Sequence, residues 1–378
     1  MIDEPLVSII IPAFNEEKTL AKTIDSVLGL NYPENKLEII IVNDGSKDDT
    51  LKIAKSFSEN HKNIIVIDKE NGGKATAMNL GIKVAKGEYV ISFDADSMVT
   101  KDALKYALPY FSDPKVMCVT PSMKVYNPKG IYQRVQSIEY DQGIFLRKAF
   151  SNINAIHVTP GPFSIYRKEF FDKYGGYDEH NITEDMEIAM RIQSLNYRIE
   201  NSPKSLVYTV APNTFFGLLR QRRRWYFGMI KNLIKYKFMF GKKYGELGLF
   251  IFPLGIISTL MIMLITTYYI YKSIAENIKE LTLYSTIGFD YPTNISFQWY
   301  SFYLSFFRFI SENILLFGAF FLIMTISILM FTNKKVGGDK PIRTFISYFF
   351  FMLFYGIFFT FWWGISIIYA LTHKEIKW

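Results

Sequence analysis

Residues 6–11 (LVSIII) form an unbroken apolar, β-branched run that stops at Pro12. An unbroken run, unlike an alternating one, predicts a strand buried on both faces of a parallel sheet. Three more runs follow at 37–42 (LEIIIV), 63–67 (NIIVI) and 88–93 (EYVISF). Between them the period becomes helical over 16–29 and 74–86. A further helix is expected after the Asp44-Gly45 turn, with Ser46 as its cap and Asp49 three residues on in the capping-box position. Strands alternating with helices predict an α/β domain with a mostly parallel sheet and helices on both faces. Right-handed crossovers place the C-terminal ends of such strands along one edge, where ligands bind.

Beyond residue 246 the pattern changes. Uncharged stretches at 247–271, 313–331 and 344–372 run 25, 19 and 29 residues. A helix of about 20 apolar residues crosses the hydrocarbon layer. The chain therefore divides into a domain over 1–212, a basic amphipathic interfacial segment over 213–246, and an all-α transmembrane module of about three helices over 247–378. The aromatic stretch 298–312 carries Arg308 and Glu312 four residues apart, and reads as an interfacial helix or the start of a tilted second span. KYKFMFGKKYGE before the first span and NKKVGGDKPIR between the second and third are basic, which places both in the cytoplasm. The domain over 1–212 is then cytoplasmic, while 272–297 forms an external loop and the C-terminus lies outside. MIDEP opens with acids and a proline and does not look like a signal peptide, so the first span is expected to direct its own insertion.

Composition narrows the chemistry. The single cysteine, Cys118, excludes an internal disulfide and any multi-cysteine metal site. His61, His157, His180 and His373 are scattered, with no pair at ligand spacing. The net charge of +8 at first allows nucleic acid, anionic lipid or an anionic substrate. Its placement decides. Residues 1–200 hold 24 basic and 28 acidic side chains, whereas 201–245 hold ten basic and none acidic. The excess lies beside the first span, which points to membrane lipids and away from nucleic acid.

Polar residues gather where the strands end. Pro12, Phe14 and Glu16 follow the first, Asp44 the second, and Asp94-Ala95-Asp96 the fourth. Neither a G-x-G-x-x-G fingerprint nor a P-loop follows the first strand, which argues against a dinucleotide dehydrogenase and a P-loop NTPase. Two carboxylates one residue apart suit a divalent cation, magnesium or manganese, shared with a diphosphate, although a solvated turn has the same sequence. Asp44 suits hydrogen bonds from a base or ribose, or a plain helix-entry turn. Lys74, after Gly72-Gly73, suits a phosphate at a helix N-terminus, or a surface position. Glu184 and Asp185 suit the helix dipole. Alternatively, Asp185 is a general base that takes a proton from an acceptor hydroxyl. In Gln221-Arg222-Arg223-Arg224-Trp225, the residues Gln221, Arg224 and Trp225 share one helix face. That face offers an amide, a guanidinium for a diphosphate and an indole for a sugar. Arg222 and Arg223 are expected to point elsewhere, toward lipid headgroups.

In this order, VSIIIPAFNEE, IIIVNDGSKDDT, SFDADS, TED and QRRRW resemble the family 2 glycosyltransferases of GT-A, Rossmann-like fold. Within them the nearer likeness is the membrane-embedded subgroup of cellulose, hyaluronan, chitin and poly-N-acetylglucosamine synthases. The resemblance covers residues 5–235, and GPFSIYRKEFFDKYGGYDEHNITED resembles the subgroup's acceptor region. It implies an inverting, metal-dependent hexosyltransferase that uses UDP-N-acetylglucosamine or UDP-glucose. By resemblance, Asp44 holds the uridine part with Pro12, Phe14 and Glu16 nearby, Asp94 binds nucleotide, and Asp96 is the metal ligand. Asp185 is similar to the catalytic base. Glu184, Gln221, Arg224 and Trp225 are similar to the acceptor and diphosphate clamp, and Lys74 to a lysine near the donor phosphates. The cellulose and hyaluronan synthases carry helices before the transferase domain and more spans in total. Two products therefore stay open. One is a β-linked polysaccharide, favoured by QRRRW, and the other a single sugar on a lipid acceptor in the cytoplasmic leaflet. A non-catalytic scaffold would need a degenerate site, and every expected acid is present. A second copy of the chain or an accessory membrane subunit remains open as a partner.

Overall fold

The four apolar runs become β1 (Val7–Ala13), β2 (Leu37–Asp44), β3 (Ile64–Lys69) and β4 (Tyr89–Ser92). The computed structural model describes residues 4–287, 320, 322–324, 326–328 and 357–372. The four strands pair in parallel in the order β3-β2-β1-β4, with Ile9 set between Ile39 and Ile91. Successive side chains of a strand face opposite sides, so β1 feeds two cores. Ile9 and Ile11 join Leu20, Ile24 and Val27 of α1 (Leu20–Leu28) on one face. Ile10 joins Ala77, Met78 and Ile82 of α3 (Lys74–Val84) on the other. Each fully buried isoleucine contributes about 1.5–3 kcal/mol.

The expected cap on the helix after β2 is corrected. That helix, α2 (Thr50–Asn60), starts with Asp49 at its cap position and no side-chain capping bond. Ser46 Oγ instead accepts the Asn15 N–H at 3.0 Å, and Asp48 Oδ1 accepts the Thr50 N–H at 3.1 Å. The turn uses its hydroxyl to tie the end of β2 to the end of β1.

The second half of the domain holds β5 (Ser97–Val99), α4 (Ala103–Ala107), β6 (Val116–Val125), α5 (Ile131–Asn152) and β7 (Ser164–Arg167). It continues through α6 (Lys168–Tyr174), α7 (Glu184–Ser194), β8 (Arg198–Thr209) and α8 (Phe215–Lys235). The eight strands form one sheet in the order β3-β2-β1-β4-β7-β6-β8-β5. Here the expected mostly parallel sheet gives way to a mixed one. β7 runs antiparallel to β4 and β6, and β5 antiparallel to β8. β7 and β5 have only four and three residues, too few to carry a readable period.

After α8, a π-helical turn at Leu247–Ile251 leads into α9 (Phe252–Ile287). Among the described residues, Leu247–Lys279 is the one helix long and apolar enough to cross a membrane. The expected external loop does not begin at Lys272. The helix continues, with Lys272 and Glu276 one turn apart at 3.9 Å. The first charge ends the apolar stretch but not the helix, because no glycine or proline follows until Gly288. The second expected span is described only at 320, 322–324 and 326–328, all helical, and the third only at its end, as the helix Ile357–Leu371. The stretch with Arg308 and Glu312, the basic loop before the third span and the residues after 372 lie outside the described residues. Helix Ile357–Leu371 packs along α8. The Tyr226 and Trp363 rings stack at 4.6 Å, and Arg223 Nη1 donates to Tyr369 Oη at 3.2 Å.

Candidate active site

The parallel strands deliver their last residues to one edge. Past Pro12, which pairs with Val42 in the ladder, β1 gives way after Ala13 to exposed Phe14, then Asn15 in the left-handed region (φ 55°), then half-buried Glu16. The Glu16 N–H donates to Thr50 Oγ1 at 2.7 Å, and the Thr19 hydroxyl donates to its carboxylate. Burial raises the Glu16 pKa, aided by the charges of Asp94 and Asp48 and opposed by that hydroxyl.

Asp44 is buried at the end of β2. Its two oxygens accept the N–H groups of Gly72 at 3.0 Å and Gly73 at 2.8 Å, and it pairs with Lys69. The carboxylate expected to face a base or ribose thus already fixes the loop that starts α3. That loop presents Lys74, whose Nζ lies 2.6 Å from Asp94 Oδ1 and 3.2 Å from Glu184 Oε1. Burial alone would lower the lysine pKa. The carboxylates of Asp94, Glu184 and Asp185 together outweigh it and hold the ammonium charged. Lys74 therefore joins the end of β4 to the head of α7. Gly161 packs over this joint. A Cβ there would stand 2.7 Å from Lys74 Nζ and 3.0 Å from Asp94 Oδ2. Sequence reasoning passed over Gly161, although it lies within the GPFSIYR string.

Two carboxyls beside the joint are strongly shifted. Asp96 is pushed up to about 7, first by burial and then by the charges of Asp94 and Glu16, although Ser97 Oγ donates to it at 3.0 Å. Asp185, in the first turn of α7, is also pushed up to about 7, by burial and then by Glu184, against the opposing charges of Lys74 and Arg224. Its backbone carbonyl accepts the Thr159 hydroxyl at 2.7 Å, and its Oδ1 accepts the Met186 N–H at 2.9 Å. A carboxyl poised near neutrality is suited to take up and release a proton.

Helix α8 brings the remaining residues. Arg224 lies close enough to Asp185 to oppose its shift. Trp225 packs against Met123, Val125, Tyr140 and Ala211. Gln221 Oε1 is buried without a hydrogen-bond partner among the described residues. The expectation that Arg222 and Arg223 face lipid is overturned. Arg222 is 1% exposed, with Nη2 2.6 Å from Glu139 Oε2 of α5, and Arg223 lies over the Tyr369 ring at 4.8 Å. Both meet partners far away in sequence, which local spacing does not reveal.

Three contacts that sequence reasoning missed hold α8 to α7. Buried Asn232 donates to Thr183 Oγ1 at 3.0 Å and accepts from Asn181 Nδ2 at 2.7 Å. Lys235 reaches Asp178 at 2.8 Å and Glu187 at 3.0 Å. Gly228 sits where a Cβ would come within 2.3 Å of Thr183 Oγ1. A single asparagine and a mid-helix glycine on an amphipathic helix are the trace of this in the sequence.

Among the described residues, no group of three or more His, Cys, Asp or Glu side chains converges as a metal-binding set. The available donors are Asp96 and Asp94, and Asp94 also serves Lys74. Such a pair fits a magnesium-like cation that completes its shell with diphosphate oxygens and water. The surplus of negative charge around half-buried Asp96 fits a cation there as well.

Comparison with known proteins extends the picture. The sequence model of "Glycosyl transferase family 2" matches residues 8–175. That range includes Asp44, Lys74, Asp94 and Asp96, and ends before α7 and α8. A poly-beta-1,6-N-acetyl-D-glucosamine synthase of Staphylococcus epidermidis is 34% identical over 279 residues, 73% of this chain and 67% of that protein. The synthase of the same name from Staphylococcus aureus strain COL is 35% identical over 221 residues, 58% of this chain. There the chain spans only 53% of the relative's length. A mannosyltransferase from Pyrobaculum calidifontis, solved with GDP-Man and Mn2+, superimposes with a TM-score of 0.54 at 24% identity. The match covers 62% of this chain and 64% of that one, and the likeness is one of fold.

Proposed function

The chain belongs to glycosyl transferase family 2, and from that premise we propose that it builds a β-linked polysaccharide from UDP-N-acetylglucosamine at the cytoplasmic face of a membrane. The observation that carries this reading is the joint of Lys74 with Asp94 and Glu184, set beside Asp96 and Asp185. It unites a diphosphate-side carboxylate pair with a base-side pair in one site. The names of the staphylococcal relatives support N-acetylglucosamine over glucose as the sugar.

The residues take these roles. Pro12, Phe14, Glu16 and Asp44 shape the nucleotide side, with Asp44 acting through the loop it holds. Asp94 and Asp96 face the diphosphate, and Asp96 with Asp94 would hold a divalent cation. When bound, that cation neutralises charge on the diphosphate. Lys74 keeps Asp94 and Glu184 in register and adds a positive charge near the leaving group. Asp185 accepts the proton of the acceptor hydroxyl as its oxygen bonds to the anomeric carbon. The bond from that carbon to the diphosphate oxygen breaks, and UDP departs with the electron pair. Attack from the face opposite UDP inverts the anomeric centre, turning an α-linked donor into a β-linkage. Gln221, Arg224 and Trp225 hold the acceptor end and the diphosphate, which makes the attack effectively intramolecular.

Helix α9 has 36 residues, about 54 Å at 1.5 Å per residue, against a hydrocarbon layer of about 30 Å. Its apolar first part spans the membrane, and the charged remainder stands beyond it. The test is to incubate the full chain in lipid nanodiscs with labelled UDP-N-acetylglucosamine and size the product. A ladder of long polymer is expected. A single organic-extractable species would mean transfer to a lipid instead, and no UDP release above background would refute both.

A further inference from the structure

We propose that Arg222 is a positioning residue that fixes the Trp225 indole for the acceptor and links that indole to the helix Ile357–Leu371. The inference rests on the reading of α8 as an acceptor clamp. Arg222 lies within the Gln221–Trp225 string but is given no contact with donor or acceptor. It is among the largest fully buried side chains, with its guanidinium carbon 4.3 Å from the centre of the Trp225 ring. Its Nη2 reaches Glu139 Oε2 of α5 at 2.6 Å. A second indole, Trp362, itself 2% exposed, lies 5.9 Å from the same carbon.

The chemistry selects arginine. Burying a charge is costly unless it is paired, and Glu139 provides the pairing. Pairing alone would be met as well by lysine, which is a point charge on a flexible stem. The planar guanidinium can hold a carboxylate at its edge and an indole on its face at once. Trp225 also packs against the cluster of Met123, Val125, Tyr140 and Ala211. The ring is thus held in place by an apolar cluster and a buried cation, and an aromatic side chain fixed in advance meets a sugar without first being ordered. Trp362 adds the C-terminal helix to the same cation. The stacked Tyr226–Trp363 pair and the Arg223–Tyr369 hydrogen bond dock that helix along α8.

The test compares Arg222→Lys and Trp362→Leu with the unaltered full chain in nanodiscs, using a short N-acetylglucosamine oligomer as acceptor. Arg222→Lys keeps a cation for Glu139 but removes the flat surface. It is expected to raise the acceptor KM about tenfold and to shorten the polymer, while the donor KM moves by no more than about twofold. Trp362→Leu is expected to act in the same direction, by about threefold. An unchanged acceptor KM in Arg222→Lys would overturn the assignment. So would an equal rise in both KM values, which marks a merely structural ion pair. A second readout needs no turnover: fluorine NMR of fluorotryptophan-labelled protein, with position 225 assigned by Trp225→Phe. The resonance should shift and broaden in Arg222→Lys, and an unmoved resonance overturns the proposal. Failure of the clamp reading itself looks different, because the unaltered chain would then release UDP without extending any saccharide.

Discussion

On one side of the site, Asp44, Asp94 and Asp96 follow the ends of parallel strands in the sheet. On the other, Asp185, Arg224 and Trp225 ride on α7 and α8, outside the stretch that the family's sequence model matches. The first group is placed by backbone ladders. β1 pairs with both β2 and β4, and each register is fixed by several successive residues. The second group is placed by side chains, chiefly Asn232 on Thr183 and Asn181, Lys235 on Asp178 and Glu187, and Arg222 on Glu139. A ladder spreads its load over many bonds. A side-chain network concentrates it, so single substitutions should misplace the helical side far more easily than the strand side.

Gly228→Ala should break the helical side most severely. The new Cβ has no room against Thr183, so α8 must move off the head of α7. A displacement of about 1 Å costs about a hundredfold in kcat, measured as transfer rate at saturating donor with UDP affinity largely retained. A pH series comes next. Asp185 sits near 7 against an ordinary value of 3.8, and it must be ionised to act as a base. The kcat/KM should therefore fall about tenfold for each pH unit below that value. Stability should move the other way. Because the folded pKa is raised, the stabilisation from protonated Asp185 is complete below 3.8 and is lost as pH rises through about 7. Urea melts at pH 5 and pH 8 should show this difference, and Asp185→Asn should shrink it, leaving the share of Asp96, which is raised in the same way.

Gly161→Ala tests the joint between the two sides. It should push Lys74 away from Asp94 and raise the donor KM about tenfold, the worth of a charged hydrogen bond. Ser46→Ala should matter least. It removes one hydrogen bond between the ends of β1 and β2 and should cost about 0.5 kcal/mol in a urea melt, with kcat almost unmoved. If Ser46→Ala harmed activity as much as Gly228→Ala, the contrast between ladder and network would be wrong.

The same contrast explains what could be read in advance. β1 to β4 are legible because a strand buried on both faces leaves a continuous apolar run, and the carboxylates proposed for the donor side follow the ends of such runs. Lys74 is legible because Gly72-Gly73 precede a helix. The mixed half of the sheet is not, because β7 and β5 are short and their direction is set by distant partners. Arg222 reads as a surface cation until Glu139, 83 positions away, is placed beside it. Gly161, Gly228 and Asn232 act through close approach across the fold, which leaves no periodic signature. The end of α9 is hidden because charge marks the end of an apolar stretch and not of a helix.

The account stands or falls on Asp185 as the base beside the Lys74 joint. Asp185→Asn keeps the shape of that side chain and removes its ability to take a proton. With labelled UDP-N-acetylglucosamine, its transfer rate is predicted to fall about a thousandfold while UDP affinity stays within about twofold of the unaltered chain. Transfer at the unaltered rate would contradict the account.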